Sequence, residues 1–98
     1  MNLNLDYKGF ESNLVSKNEL FGGVHYVFRF ANNYGASVIK HDGSYGHDGD
    51  AWELAVILYE NESNDSWHLN YDTPITDDVI GWQTDEEIRD LLKQIEGL

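Results

Sequence analysis

The sequence predicts an α+β fold: an antiparallel four- to five-stranded sheet (a meander) with one C-terminal amphipathic helix packed on one face. Apolar and polar residues alternate with a period of two in several short runs, and residues typical of turns separate these runs. A helical period of apolar residues appears only near the end of the chain. Because 98 residues suffice for one modest core, we expect a single domain over residues 1–98.

The first predicted hairpin covers residues 24–41. Residues 24–31 alternate cleanly, and residues 36–41 follow as a partner strand. Gly22 and Gly23 before the first strand, and residues 32–35 between the two, supply the positive φ angles that tight turns need. The segment 13–20 is a candidate edge strand beside this hairpin.

The second predicted hairpin joins residues 51–59 to residues 66–71. The first of these segments is the most apolar in the chain, which is typical of a central strand. The second alternates Trp67, Leu69 and Tyr71 with polar residues, and residues 60–65 form the polar tip between the two. Four strands in this order make a meander.

The terminal helix has recognisable start and stop signals. Thr84 and Glu87 fit a capping box, and Gly97 fits the C′ position that follows a helix. One apolar stripe is formed by Ile88, Leu91, Leu92 and Ile95.

Negative charge is concentrated in the second half of the chain. Residues 1–41 carry a net charge of +1, whereas residues 42–98 carry −13, and no Lys or Arg lies between residues 42 and 81. Such a surface repels phosphate, so we expect no direct binding of nucleic acid or of anionic lipid, and we expect a protein partner with a basic surface. Alternatively, the acidic surface has no binding partner and only keeps the protein soluble.

The sequence also bears on the compartment. No apolar run approaches the ~18 residues of a membrane span, and no positively charged segment followed by an apolar run stands at the start. The absence of cysteine allows the cytosol but indicates nothing more about the compartment. We therefore expect a soluble, unexported protein.

Candidate binding residues are carboxylates in predicted loops and aromatic residues in the same places. Trp82, two residues before the helix cap, is not one of them, because we expect it to fold onto the end of the core. Aromatic side chains on a surface often anchor protein contacts. The candidates are Asp48, Asp50, Glu60, Glu62, Asp72, Asp77, Asp78, Tyr34 and Tyr45.

The sequence contains candidate ligands for a metal site but no signature of an active site. The loop 41–50 repeats His-Asp-Gly, so His41, His47, Asp48 and Asp50 are candidate ligands, although Asp and Gly are equally the ordinary residues of a turn. No nucleophile elbow, phosphate loop or dinucleotide fingerprint is present. We expect no enzymatic activity and no cofactor.

Four stretches of the chain resemble small proteins of unknown function encoded by tailed phages and prophages. They read NYGASV at 33–38, SYG at 44–46, WELAV at 52–56 and TPITDDVIG at 73–81. The resemblance implies a phage or prophage origin and expression in the cytoplasm of a bacterial host cell. It carries over no catalytic or binding residue. By analogy with small acidic phage inhibitors, it favours a DNA-mimic-like inhibitor of a host nucleic-acid-binding protein.

Two other functions remain open at this stage. The chain is alternatively a structural or assembly protein of a phage that self-associates or makes contacts through its aromatic loops, or a small metal-binding domain. The sequence does not predict the oligomeric state.

Overall fold

Six β-strands and one α-helix make up the part of the chain that the structure describes. This computed structural model describes residues 3–20, 22–40, 51–76 and 78–98. In chain order the elements are a short 3-10 helix (Glu11–Asn13), β1 (Leu14–Leu20), β2 (Gly23–Arg29), β3 (Tyr34–Lys40), β4 (Trp52–Tyr59), β5 (Trp67–Leu69), β6 (Ile80–Gln83) and α1 (Asp85–Glu96).

The strands form one antiparallel sheet in the order β1-β2-β3-β4-β5, and β6 also pairs with β4. Because β3 occupies one side of β4 over residues 53–58, β5 and β6 share the other side. There β5 lies beside the C-terminal half of β4 and β6 lies beside its N-terminal half. The predicted α+β class, meander order and terminal helix are confirmed, and the candidate edge strand is β1.

The first hairpin departs from its predicted bounds at one turn. Asn33 adopts a φ of 68° there, and the side chain of Asn32 accepts a hydrogen bond from the Tyr34 N–H at 3.0 Å. This backbone conformation and this hydrogen bond complete the turn within fewer residues, so β3 begins at Tyr34 rather than at residue 36. The prediction that Tyr34 lies in a loop is therefore wrong.

The second hairpin has a shorter second strand than predicted. Only Trp67–Leu69 pairs with β4, although the Asn70 N–H still donates to the Val56 carbonyl at 2.9 Å. The side chain of Asn70 then accepts from the Asp72 N–H at 3.0 Å, which turns the chain away from β4. The chain returns to β4 as β6, a strand that the sequence did not predict.

One face of the sheet carries the main core. The helix α1 packs across β3, β4 and β6 on this face and buries Ile88, Leu92 and Ile95. Alternate strand residues contribute to this core, as the period of two predicts. They are Val24, Tyr26, Phe28, Ala36, Val38, Trp52, Leu54 and Val56.

The predicted signals of α1 are largely confirmed. Glu87 N–H donates to Thr84 Oγ1 at 3.2 Å and Thr84 N–H donates to Glu87 Oε1 at 3.0 Å, which completes the capping box. Gly97 ends the helix as its C-cap with a φ of −88°, one position before the predicted C′.

An extended N-terminal segment covers the part of this face that α1 leaves open. Leu5 and Phe10 are buried against the core, and the Tyr26 hydroxyl bonds both the Leu3 carbonyl at 3.1 Å and the Leu5 N–H at 3.2 Å. Arg89 ties the segment to α1 by donating to the Asp6 carbonyl at 2.9 Å. This packing had no signal in the sequence.

Candidate functional site

The outer side of β4 is the most distinctive surface of the described chain. Here β5 and β6 lie end to end, the segment 60–66 leads from β4 to β5, and the segment 70–79 leads from β5 to β6. We call this region, residues 60–83, the acidic edge. Its described carboxylates are all exposed: Glu60, Glu62, Asp65, Asp72 and Asp78.

Arg29 holds the first segment of the acidic edge in place. It reaches from β2 across the sheet face opposite α1, and its guanidinium donates to the carbonyls of Asn61 at 2.6 Å and Asn64 at 2.7 Å. The same guanidinium lies 4.2 Å from the ring centroid of Tyr59 and 3.6 Å from a carboxylate oxygen of Asp65. The segment 60–66 is therefore fixed by one cation from a neighbouring strand.

Short-range polar contacts shape the second segment. Thr76 Oγ1 accepts from the Asp78 N–H at 3.0 Å and donates to its carbonyl at 2.6 Å, and Thr73 Oγ1 accepts from the Ile75 N–H at 3.3 Å. Ile75 packs against the main core. Side-chain turns and one apolar anchor thus present Asp72 and Asp78 to solvent.

Trp82 is the most unusual residue of the acidic edge. Gly81 and Trp82 lie together opposite Glu53 because β6 has one more residue than β4 between their paired positions. Trp82 takes a left-handed φ of 60°, and 63% of it is exposed. The prediction that Trp82 folds onto the core is wrong, since the bulge aims it away from the apolar face.

The backbone of Trp82 costs stability and its exposed side chain contributes little to it, which makes Trp82 a candidate contact residue. A left-handed backbone at a non-glycine residue costs of the order of 1 kcal/mol or more. A large exposed aromatic ring gains little from burial in the isolated chain. Leu69 in β5 is also exposed, at 48%, so the acidic edge carries two large apolar side chains among its carboxylates.

The predicted binding residues separate into three groups. The first group lies on the acidic edge and is exposed: Glu60, Glu62, Asp72 and Asp78. Tyr34 is half-buried at the start of β3 and packs against the core. Outside the described residues lie Asp48, Asp50, Tyr45 and Asp77, and with them the candidate metal ligands His41 and His47.

The carboxylates at the start of α1 belong to the fold as much as to the surface. Asp85 accepts from the Trp52 indole N–H at 2.7 Å and from the Asp6 N–H at 2.9 Å. Glu87 completes the capping box. We therefore leave both out of the candidate site.

The sheet face opposite α1 carries a smaller apolar cluster and one polar pair. Val27, Ile57 and Tyr59 are buried there beneath Trp67. Burial raises the pKa of the Tyr59 hydroxyl, which has no hydrogen-bond partner among the described residues.

The polar pair on this face joins β2 to β3. His25 Nε2 lies 2.7 Å from Ser37 Oγ, and burial lowers the pKa of His25 below its usual 6.5. A neutral imidazole beside a serine is one component of a nucleophilic site, but such a site also needs a substrate cavity and donors for an oxyanion. In residues 3–20, 22–40, 51–76 and 78–98 no cavity is found.

No three His, Asp or Glu side chains of the described segments lie close enough together to hold a metal ion. The helix α1 has 12 residues, and no helix in the described part meets the length and apolarity of a membrane span. No protein-family model, curated protein or solved structure matches the chain.

Proposed function

We propose that this protein binds a partner protein with a basic surface through its acidic edge, with Trp82 as the apolar anchor. The observation that carries the proposal is Trp82 itself, an exposed tryptophan on a strained backbone in a region whose five described carboxylates are all exposed. Residues that cost stability and lie on a surface are candidates for function. A Lys or Arg of the partner fits this setting, because it can stack on the indole and pair with a carboxylate.

The charge balance of the chain supports the same partner. Arg29 lies against Asp65, and Arg89 lies 3.1 Å from Asp6, so both arginines meet a carboxylate within the chain. No Lys or Arg occurs between residues 41 and 88. The acidic edge therefore has a net negative charge, although Arg29 lies against Asp65, and this charge attracts a basic surface and speeds its association at low salt.

The density of charge bears on the DNA-mimic hypothesis. The eight residues of β4 span roughly 26 Å, a length over which duplex DNA presents about 15 charges, whereas the acidic edge has five described exposed carboxylates and one of them, Asp65, lies against Arg29. Duplex DNA presents one charge per about 1.7 Å. The acidic edge thus supports capture of a basic protein patch better than full replacement of a DNA duplex.

The test compares two variants with the same change in charge. Glu60→Gln/Glu62→Gln/Asp72→Asn neutralises the acidic edge, whereas Glu86→Gln/Asp90→Asn/Glu96→Gln neutralises three exposed carboxylates of α1. Each variant and the parent serve as bait in bacterial lysate at low and at moderate salt, and mass spectrometry identifies the retained proteins.

We expect a basic protein that the parent and the α1 variant retain, that the edge variant releases, and that moderate salt or competing duplex DNA displaces. Equal retention by both variants would place the contact outside the acidic edge and overturn the proposal. A Trp82→Ala bait measures the anchor separately, and a loss of about tenfold or more in affinity is expected for an aromatic hot spot.

A phage assembly role is the second candidate, because Trp82 and Leu69 are exposed together on the acidic edge. In that case Trp82→Ala and Leu69→Ala abolish binding to phage structural proteins from infected lysate, while salt has little effect. The phage or prophage origin, the host nucleic-acid-binding protein as partner and the bacterial cytoplasm as location stay predictions from the resemblance.

A further inference from the structure

β1 is an edge strand whose outer side has no strand partner among the described residues. Its inner side pairs with β2 from Ser16 to Leu20 without interruption, and Val15 lies in the bulge that precedes this run. An exposed edge of this kind offers a row of backbone donors and acceptors to another strand. Val15 is 40% exposed at the start of the row.

The charges on β1 are complementary to those of a second β1. Lys17 and Glu19 pair with Tyr26 and Val24 of β2, so both lie on the face that carries α1. If two antiparallel copies of β1 meet with Asn18 opposite Asn18, each Lys17 stands directly opposite the partner's Glu19. Opposite charges in directly opposed positions stabilise antiparallel strands. A register centred on Lys17 would instead oppose two ammonium groups.

From this we infer that two copies of the chain pair through β1, in an antiparallel register centred on Asn18. Five residues of each strand, Ser16 to Leu20, form the contact, and the bulge at Val15 limits its length. The two sheets then continue as one, with both α1 helices on the same face. This inference does not depend on the function proposed for the acidic edge.

A second copy fits this edge better than it fits any other surface of the described chain. Two chains of net charge −12 repel each other, and the repulsion is smallest where residues 1–41, with a net charge of +1, come together. Pairing through β1 also leaves the two acidic edges at opposite ends of the joined sheet. The helix α1 packs over β3, β4 and β6 and so does not obstruct β1.

The contact is small, so the dimer is weak. Five residue pairs fall below the area of a standard stable interface, which is about 1,200 to 2,000 Å². We expect a monomer at micromolar concentration and a growing dimer fraction toward millimolar, measured by sedimentation velocity at physiological ionic strength. Amide hydrogen exchange in residues 16–20 should slow over the same range.

Charge exchange gives the decisive experiment. In Lys17→Glu two carboxylates oppose each other across the contact, and in Glu19→Lys two ammonium groups do. Each variant alone should dimerise at least about tenfold more weakly than the parent. An equimolar mixture of the two should form a heterodimer, and the double variant Lys17→Glu/Glu19→Lys should recover the parent's self-association.

The double variant also controls for the contacts that Lys17 makes within its own chain, with Asn4 Oδ1 at 3.3 Å and over the Tyr26 ring at 5.4 Å. Circular dichroism checks that all variants fold. A parent that stays monomeric at millimolar concentration would overturn the inference. So would single variants that dimerise as strongly as the parent, or a mixture that gains no heterodimer.

Discussion

The two edges of the sheet are built by different means. β1 is a strand of seven residues that pairs with β2 without interruption from Ser16 to Leu20, after the bulge at Val15. The opposite side of β4 is covered by two strands of three and four residues, and side-chain contacts to backbone groups shape the segments around them. Backbone pairing produces an edge that another strand can extend, whereas side-chain turns produce a surface that presents charges.

The exposed residues of the two edges also differ in their effect on the stability of the fold. At the β1 edge the exposed residues cost the fold little, because an exposed strand residue changes the free energy of unfolding only slightly. At the acidic edge Trp82 combines exposure with a left-handed backbone. Substitutions can test whether the two edges depend on the same central strands and how much each edge contributes to the free energy of unfolding.

The largest expected effect comes from a substitution in the central strands, on which both edges depend. In Gly35→Ala, a Cβ atom would lie 2.0 Å from the Phe28 carbonyl oxygen and 3.1 Å from the Tyr59 ring, so β2, β3 and β4 must move apart. We expect a loss of about 3 kcal/mol or more in the free energy of unfolding, measured by urea denaturation.

Gly97→Ala is the matched control for Gly35→Ala, because its new Cβ has only ordinary contacts, the nearest at 3.6 Å. It should be neutral or stabilise the fold by up to about 1 kcal/mol. Equal effects at the two glycines would show that the central strands tolerate separation.

The next largest effect concerns the acidic edge alone. Arg29→Ala removes the donor to the Asn61 and Asn64 carbonyls and the cation above Tyr59. We expect a loss of about 2 kcal/mol, since hydrogen bonds from a charged group contribute about 1.5 to 3 kcal/mol. Amide exchange should accelerate in residues 60–66 and stay unchanged in β1.

Arg89→Ala is the control for this variant. Arg89 also joins two distant segments, but it contacts Asp6 at an exposed site and should cost no more than about 1 kcal/mol. Faster exchange in β1 after Arg29→Ala would mean that the two edges are not independent.

A smaller effect of opposite sign is expected at Trp82. Trp82→Gly relieves the left-handed backbone and should raise the free energy of unfolding by about 1 kcal/mol, measured by thermal and urea unfolding. The control is Asn33→Gly, because Asn33 also has a positive φ but tolerates it well. A destabilised Trp82→Gly would show that the indole supports the fold and would weaken its assignment as an anchor.

The smallest effect belongs to the β1 side of the sheet. His25 pairs with Asn18 of β1 in register, and burial lowers its pKa below 6.5. The unfolded chain then binds more protons than the folded chain between that lowered pKa and 6.5, so the free energy of unfolding decreases as the pH falls through this window.

His25→Gln should flatten this part of the pH profile while keeping a polar partner for Ser37. Urea denaturation at a series of pH values compares the variant with the parent. A parent profile that is flat below pH 6.5 until the carboxylates titrate would contradict a buried, neutral His25.

The sequence predicted those parts of the candidate site that depend on residue type alone. The absence of Lys and Arg between residues 42 and 81 is visible in the chain, and Glu60, Glu62, Asp72 and Asp78 are exposed as loop carboxylates usually are. The role of Arg29 was not visible, because its partners lie 32 and 35 residues away. The exposure of Trp82 was predicted wrongly, because no local pattern distinguishes a tryptophan in a bulge from one that folds onto the core.

By itself the sequence determined the period-two strands, the capping box of Thr84 and Glu87, the apolar stripe of α1 and the acidic half of the chain. All of these are local, since a strand's alternation and a helix cap act within a few residues. Only the tertiary structure decided that β6 returns to β4, that Trp82 faces solvent and that one arginine holds the segment 60–66. These features depend on contacts between distant residues: β6 pairs with the N-terminal half of β4 that the short β5 leaves open, and Arg29 reaches from β2 to residues 61 and 64.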